Sequence, residues 1–455
     1  MGGWDEGAQE INGAIDSQAD YLVVSRVDGD KISAKVFKGN QVIAESSLVV
    51  EDESIRRQAL KKTLYTVLHQ VTGRHMPWGV LTGIRPTKVV HNFKKATYSE
   101  PAINKRLIED YCISREKANL MMEIAKKEDE ILSQNKEGEI SLYIGIPFCP
   151  TRCLYCSFTS YSLKEKGTQV DTYLDALIKE INYVSNITQG RTIRSLYVGG
   201  GTPTSLNDEQ LERLLKEVEK CFNIEEIEEY TIEAGRPDTL NRNKLRIMKQ
   251  YKVGRISINP QTMNQKTLDA VGRGHRVEDI IRTFHIAREE GHNNINMDLI
   301  IGLPEEGVTD VANTMEAIRN LKPDSITVHT LAIKRASKLK EEINDYDLTK
   351  VEDIQEMLEM TVRGAKEMSM EPYYMYRQKD ILGNFENVGY AIPGKESIYN
   401  IQMIAEQQTI IAMGAGAVSK LVSSEGSHLN RIPNVKNLEE YIGRIDEMID
   451  RKKEL

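Results

Sequence analysis

The sequence predicts an α/β protein: a partial (βα)6, TIM-like barrel between an N-terminal α+β region and a mostly helical C-terminal capping domain. Three observations predict it. Between residues 140 and 335, six short apolar runs alternate with amphipathic stretches of helical period, the pattern of a parallel sheet covered by helices. Before residue 138, strand-like runs are separated by Gly29-Asp30 and Gly39-Asn40, both turn signals. After residue 336, charged helical stretches flank a Gly- and Tyr-rich segment. The expected domains are therefore 1–138, of unassigned role, 139–335 and 336–455.

Composition narrows the class. The 455 residues hold 60 Lys plus Arg and 68 Asp plus Glu, a formal net charge of −8, and 40% are apolar. That fraction excludes a wholly disordered acidic chain. The negative balance disfavours a free-standing nucleic-acid binder. No apolar run reaches the length of a membrane span, and Met1–Glu6 lacks the basic and apolar regions of a signal peptide. A cytoplasmic, reducing location is expected, with neither nucleic acid nor membrane as partner.

The elements follow in order. Tyr21–Val27, Lys31–Phe37 and Val42–Val50 read as antiparallel strands, Ser54–Val71 as a helix, and Pro101–Gln134 as two or three more helices. The barrel strands are Leu142–Pro147, Ser195–Val198, Tyr230–Ala234, Arg255–Asn259, Asn294–Ile301 and Ser325–Leu331. Asp171–Ser185, Asp208–Cys221 and Thr309–Asn320 are helices between them. The C-terminal part gives a helix over Asp353–Met368, a loop region over Glu371–Tyr399, the stretch Met413–Ser419 and a helical tail over Leu438–Glu454. Gly389–Lys395 looks like the start of a phosphate loop, but Glu396 stands where Ser or Thr would bind magnesium. It reads as loop.

The five cysteines divide unequally. Cys112 and Cys221 stand alone in helical stretches and read as small buried apolar side chains. Cys149, Cys153 and Cys156 form a C-x3-C-x2-C run directly after the first barrel strand. An oxidised pair would leave one thiol over. Zinc usually takes four tight ligands, and no second Cys/His pair accompanies these three. Iron–sulfur clusters are held by thiolates. Three thiolates on a four-iron cluster leave one iron open to a small chelating molecule.

Polar groups recur where barrel strands end, the functional end of such folds. Gly199-Gly-Gly-Thr-Pro203 follows the second strand, where absent side chains let backbone approach a ligand. Glu233 closes the third strand and Asp298 lies inside the fifth; a carboxylate there needs a partner. Gln261 ends the fourth, and Arg273 follows. Together they supply acceptors for a ribose and an amine, and a cation for a carboxylate.

The cysteine run resembles that of the radical S-adenosylmethionine (SAM) superfamily. The resemblance implies a [4Fe–4S] cluster on Cys149, Cys153 and Cys156. Its open iron binds the amino and carboxylate groups of SAM, and an electron then cleaves SAM to methionine and a 5′-deoxyadenosyl radical. Within that superfamily, Tyr143-x3-Pro147-Phe-Cys149, Gly199–Thr204, Glu233, Gln261 with Arg273, Asp298–Pro304, Thr330–Ala332 and Met413–Ser419 resemble the oxygen-independent coproporphyrinogen III oxidase family. Trp78–Lys88, Glu233–Pro237 and Tyr376–Asp380 look like its HemZ branch, a coproporphyrinogen dehydrogenase-like group. The resemblance implies that Tyr143, Tyr155, Gly200, Gly201, Thr202, Glu233, Gln261, Arg273, Asp298, Ala332 and Val418 contact SAM.

The implied reaction belongs to heme biosynthesis: oxidative decarboxylation of coproporphyrinogen III propionates to the vinyl groups of protoporphyrinogen IX. An electron donor such as flavodoxin or ferredoxin is implied as partner. Arg236, Lys334, Arg335, Arg377 and Lys379 are candidate cations for the substrate's carboxylates. The sequence departs from the family at three places. Gly145 stands for a histidine and Phe158 for a fourth cysteine of the best-studied branch. Tyr399–Ile404 lacks the His, Tyr and Trp of the heme-chaperone branch. A tetrapyrrole-binding chaperone and a different radical SAM reaction on a tetrapyrrole are the alternatives.

Overall fold

The computed structural model describes residues 20–346, 349–423 and 429–454; the expectation for Met1–Glu6 lies outside them. The chain divides into two compact units, Met1–Gly83 with Val90–Met122, and Ile84–Val89 with Glu123–Leu455.

In the first unit, β1 (Leu22–Asp28), β2 (Lys31–Lys38) and β3 (Gln41–Val49) form an antiparallel meander. Alternation sends Ile32, Ala34 and Val36 to one face. The helix Arg56–Thr72 covers that face with Ala59 and Val67. The expected strands and helix thus form. The helices Glu100–Glu109 and Arg115–Leu132 fall within the stretch predicted for them. Thr87–Lys95 is also helical. Its apolar positions, Val89, Val90 and Phe93, are too few to reveal a period.

The second unit is built on an 11-stranded sheet. Its centre is the run β4 (Ile140–Ile146), β7 (Ile193–Gly200), β8 (Glu229–Gly235), β9 (Arg255–Ile258), β10 (Ile295–Ile301) and β11 (Ser325–Thr330), all parallel to their neighbours in the run. The helices Val170–Ile187, Asp208–Cys221, Arg242–Gln250, Val277–Glu289 and Val308–Leu321 make the crossovers. Each strand contributes apolar residues buried to zero exposure, among them Leu142, Val198, Ile232, Ile256, Met297 and Ile326. Every carboxyl strand end therefore points the same way, and the polar groups gather there. Two short pieces, β5 (Phe148–Cys149) and β6 (Tyr161–Ser162), pair in parallel and staple the base of the cysteine loop.

The C-terminal region supplies the expected helices, Val351–Glu367, Leu438–Gly443 and Ile445–Asp450, and also Ile398–Ala405. It also adds strands on both sides of the parallel run: β12 (Glu371–Tyr376), β13 (Asn387–Ala391), β14 (Thr409–Met413), β15 (Val418–Val422) and β16 (Leu429–Pro433). β13 lies antiparallel to β11, and β14 lies parallel to β4. The stretch Glu371–Tyr399, expected as loop, therefore holds two strands, and Gly389–Ala391 belongs to one of them. Pro372 to Met375 are all buried. A strand covered on both faces shows no alternation to read.

Candidate functional site

A cavity of about 480 Å³ opens at the carboxyl ends of the parallel strands. Cys149, Cys153 and Cys156 all line it. The loop carrying them is fixed from several sides. Thr202 donates its backbone N–H to Phe148 O (2.7 Å), and Leu154 to Val271 O (3.0 Å). The Arg236 guanidinium donates to Thr151 Oγ1 (2.7 Å) while holding Asp238 through two bonds of 2.9 and 2.7 Å. Burial pushes the Cys149 and Cys156 thiols up; hydrogen bonding to Thr202 partly offsets this at Cys149.

Gly201 shows why the loop after β7 lacks side chains. A Cβ there would sit 2.6 Å from Phe148 O and 2.9 Å from Cys149 Sγ. Both are closer than real Cβ contacts, so the second and third glycines are what lets this turn lie against the cysteine strand.

Beside the turn, Tyr197 Oη donates to Glu233 Oε1 at 2.5 Å. Burial, with Asp298 nearby, pushes the Glu233 carboxyl up to about 7 despite bonds from Tyr197 and Gly200. Asp298 goes the other way. Burial alone would raise it, but His329, Asn296 and Thr327 outweigh burial and hold it below its ordinary value. Asn296 Nδ2 donates to Asp298 Oδ1 (2.7 Å), and His329 Nε2 lies 3.8 Å from Oδ2. One cavity thus holds one carboxyl poised near neutrality and one firmly ionised.

Gln261 has φ of 69° and forms an isolated bridge to Leu299. Its backbone donates to Asp298 O and accepts from Ile300 N–H, both at 2.9 Å. Its side-chain Oε1 is buried without a partner, as is Ser257 Oγ, and both residues line the cavity. Arg273 is 5% exposed. It donates to Asn259 O (2.6 Å) and Tyr155 Oη (3.2 Å), and its Nη1 lies 4.0 Å from Cys153 Sγ. A buried guanidinium stands beside a thiol, and two buried oxygens that face the same space lack partners, which a ligand there would satisfy.

A profile of the radical SAM superfamily matches residues 143–318. Over 443 residues the chain is 39% identical to the oxygen-independent coproporphyrinogen-III oxidase-like protein HemZ of Bacillus subtilis, covering 95% of this chain and 88% of that one. The chain belongs to this radical SAM family of coproporphyrinogen oxidase-like proteins. Its relatives include the heme chaperone HemW of Bacillus subtilis, 30% identical over 311 residues, 68% of this chain and 76% of that one. The solved coproporphyrinogen III oxidase HemN of Escherichia coli, described as a radical SAM enzyme, matches with a TM-score of 0.54 at 25% identity, over 71% of this chain and 73% of that one.

Membership in the radical SAM family implies a [4Fe–4S] cluster and SAM. Among the described residues no group of three His, Cys, Asp or Glu is gathered as around a single metal ion. A four-iron cluster asks for a different spacing, because each thiolate would bind its own iron. The cradle at Gly201, the orphaned Gln261 and Ser257 oxygens and the buried Arg273 fit such a group.

The family resemblance places most of its implied contacts here. Tyr155, Gly200, Gly201, Thr202, Glu233, Gln261, Arg273, Asp298 and Ala332 line the cavity. Tyr143 and Val418 do not. Tyr143 stacks on Tyr197 and Tyr399, ring centroids 6.3 and 6.1 Å apart, and so backs the wall holding Glu233. Val418 begins β15. Of the candidate cations, Arg236 and Lys334 line the cavity. Arg236 is committed to Asp238 and Thr151. Arg377 is buried and bonded to Asn384, while Arg335 and Lys379 are exposed.

Sequence reasoning missed part of the lining. Asn400, Met403 and Ile404 from the helix Ile398–Ala405, Tyr374, Tyr376 and Gln378 around β12, and His329 from β11 complete the lining. The helix starts from a Ser397 cap and ends at Glu406, which gathers Arg85, Lys420 and Arg431. Arg85 lies in the HemZ-like stretch Trp78–Lys88, so that motif reaches the site by fixing this helix end.

Proposed function

We propose that the protein catalyses oxygen-independent oxidative decarboxylation of coproporphyrinogen III propionates, yielding the vinyl groups of protoporphyrinogen IX. The observation that supports this most is the shared cavity, which three thiols, unpaired buried oxygens and the buried Arg273 guanidinium line together with the amphipathic set Tyr376, His329, Asn400, Met403 and Ile404. When bound, the cluster and SAM supply one-electron chemistry able to take a hydrogen atom from an unactivated carbon. The protein's part is binding, orientation and exclusion of water.

In this reading Cys149, Cys153 and Cys156 hold the cluster. The Gly200–Thr202 turn presents backbone to the methionine portion of SAM. Arg273 meets a carboxylate, Glu233 an ammonium, and Gln261 and Asp298 the ribose hydroxyls. Each of the two propionates converted would lose one hydrogen atom, one electron and carbon dioxide, leaving a carbon–carbon double bond. The C-terminal strands and the helix Ile398–Ala405 act as the cap that shields this step from water.

After anaerobic reconstitution with iron and sulfide, the reduced protein should form 5′-deoxyadenosine and a vinyl product from SAM and coproporphyrinogen III. Cys153→Ala should lose both, and Cys112→Ala neither. Formation of 5′-deoxyadenosine without a vinyl product would overturn the reading in favour of another reaction on a tetrapyrrole. The relation to HemW favours a second reading, a heme-binding chaperone. Stoichiometric heme binding without SAM cleavage would establish that one instead.

A further inference from the structure

The stretch Lys334-Arg-Ala-Ser-Lys-Leu-Lys340 places four cations in seven residues of a chain whose net charge is −8. Glu341 and Glu342 follow it, leaving a local balance of 4 − 2 = +2. Arg335, Lys338 and Lys340 are exposed. Among the described residues, no carboxylate makes an ion pair with any of the three. A charge run is usually a solvated face, and charge alone would say no more.

This run, however, is built into the back of the cysteine loop. Leu339 is fully buried and packs in one cluster with Leu154 and Val271. Its backbone N–H donates to Leu154 O at 2.9 Å, and Arg152 Nη2 donates to Ala336 O at 2.5 Å. Leu154 and Arg152 flank Cys153 directly. The thiols and Tyr155 line the cavity; Leu154 and Leu339 do not, and pack in a cluster with Ile300 and Leu331, which do. The run begins at Lys334, which lines the cavity; from Arg335 onward it lies outside that lining, one hydrogen bond and one residue from a cysteine.

We infer that Arg335, Lys338 and Lys340 form the docking surface for a small acidic one-electron carrier protein, which delivers the electron to the cysteine loop through Leu339 and Leu154. The inference rests on the proposed radical SAM reaction. Electron transfer weakens steeply with distance, so a carrier must seat close behind the loop. Redox encounters are small and short-lived, so charge complementarity sets their rate more than buried area does. Each encounter moves one electron from the carrier into the cluster site. No bond is made or broken in the transfer, and the carrier leaves oxidised by one electron.

The test uses the reconstituted full-length protein, a flavodoxin as the acidic probe, and the variant Arg335→Glu/Lys338→Glu/Lys340→Glu. With limiting reduced flavodoxin at low salt, 5′-deoxyadenosine formation should fall about tenfold or more in the variant. Wild-type activity should fall steeply with added salt, because exposed charges are screened. With dithionite in place of flavodoxin, variant and wild type should agree. Calorimetric titration with oxidised flavodoxin, a readout independent of turnover, should show weakened binding to the variant. Equal flavodoxin-driven rates, or equal loss with both reductants, would overturn the inference. Binding of an RNA oligonucleotide where flavodoxin does not bind would overturn it too. No SAM cleavage by wild type with either reductant would instead refute the proposed function beneath it.

Discussion

Glu233 and Asp298 show how two like side chains in one cavity reach opposite states. Burial keeps Glu233 protonated up to about pH 7, while His329 and Asn296 keep Asp298 ionised. The sign of the pH effect follows. A carboxyl raised in the folded state contributes stability below its unfolded value, and that contribution is lost as pH rises through about 7. An ammonium placed beside Glu233 favours its charged form and draws its pKa back down. Titrating SAM into the reconstituted protein near pH 6.5 should therefore release protons. Calorimetry in two buffers of different ionisation heat reads this directly. Glu233→Gln should abolish the buffer dependence, and its absence in wild type would refute the pairing with the amine. The identities of these residues were legible in the sequence, because a carboxylate inside an apolar strand is unusual. Their opposite protonation was not, since it depends on Tyr197, His329 and Asn296 arriving from other strands.

At the scale of elements, the parallel strands were legible because each is a short apolar run bounded by turn residues. β12 and β13 were not, because Pro372 and Gly389 argue against strands and burial on both faces erases alternation. The C-terminal tail read as a plain charged helix. In the structure it ends in a buried ion pair. Lys452 Nζ lies 2.6 Å from Glu180 Oε1, and both side chains are fully buried. Tyr441 Oη (2.6 Å), Asn434 Nδ2 (2.8 Å) and the Gly414 N–H (2.8 Å) donate to the same carboxylate. Gly414 is held where a Cβ would lie 2.5 Å from Gly145 O, one strand away from the cysteine loop. Lys452→Met should leave Glu180 buried without a counter-charge and cost about 3–5 kcal/mol. Urea denaturation measures this. Adding Glu180→Gln should recover most of the loss, and failure to recover it would mean that packing, not charge, is what Lys452 supplies.

At the scale of the molecule, the C-terminal region supplies sheet neighbours on both flanks of the parallel run. Each flanking strand hides backbone groups and apolar surface of β4 or β11 that would otherwise meet water. A fragment of residues 123–335 should therefore lack fixed tertiary structure. It is expected to bind a hydrophobic dye and give no near-ultraviolet circular dichroism, and a cooperative unfolding transition in it would refute this. Long-range pairing of this kind carries no local signature in the sequence. The Glu180–Lys452 pair has one more consequence, and it concerns time. The acid emerges from the ribosome long before the lysine that neutralises it. Until residue 452 has been made, the carboxylate that accepts from the Gly414 N–H beside the first barrel strand lacks its buried counter-charge.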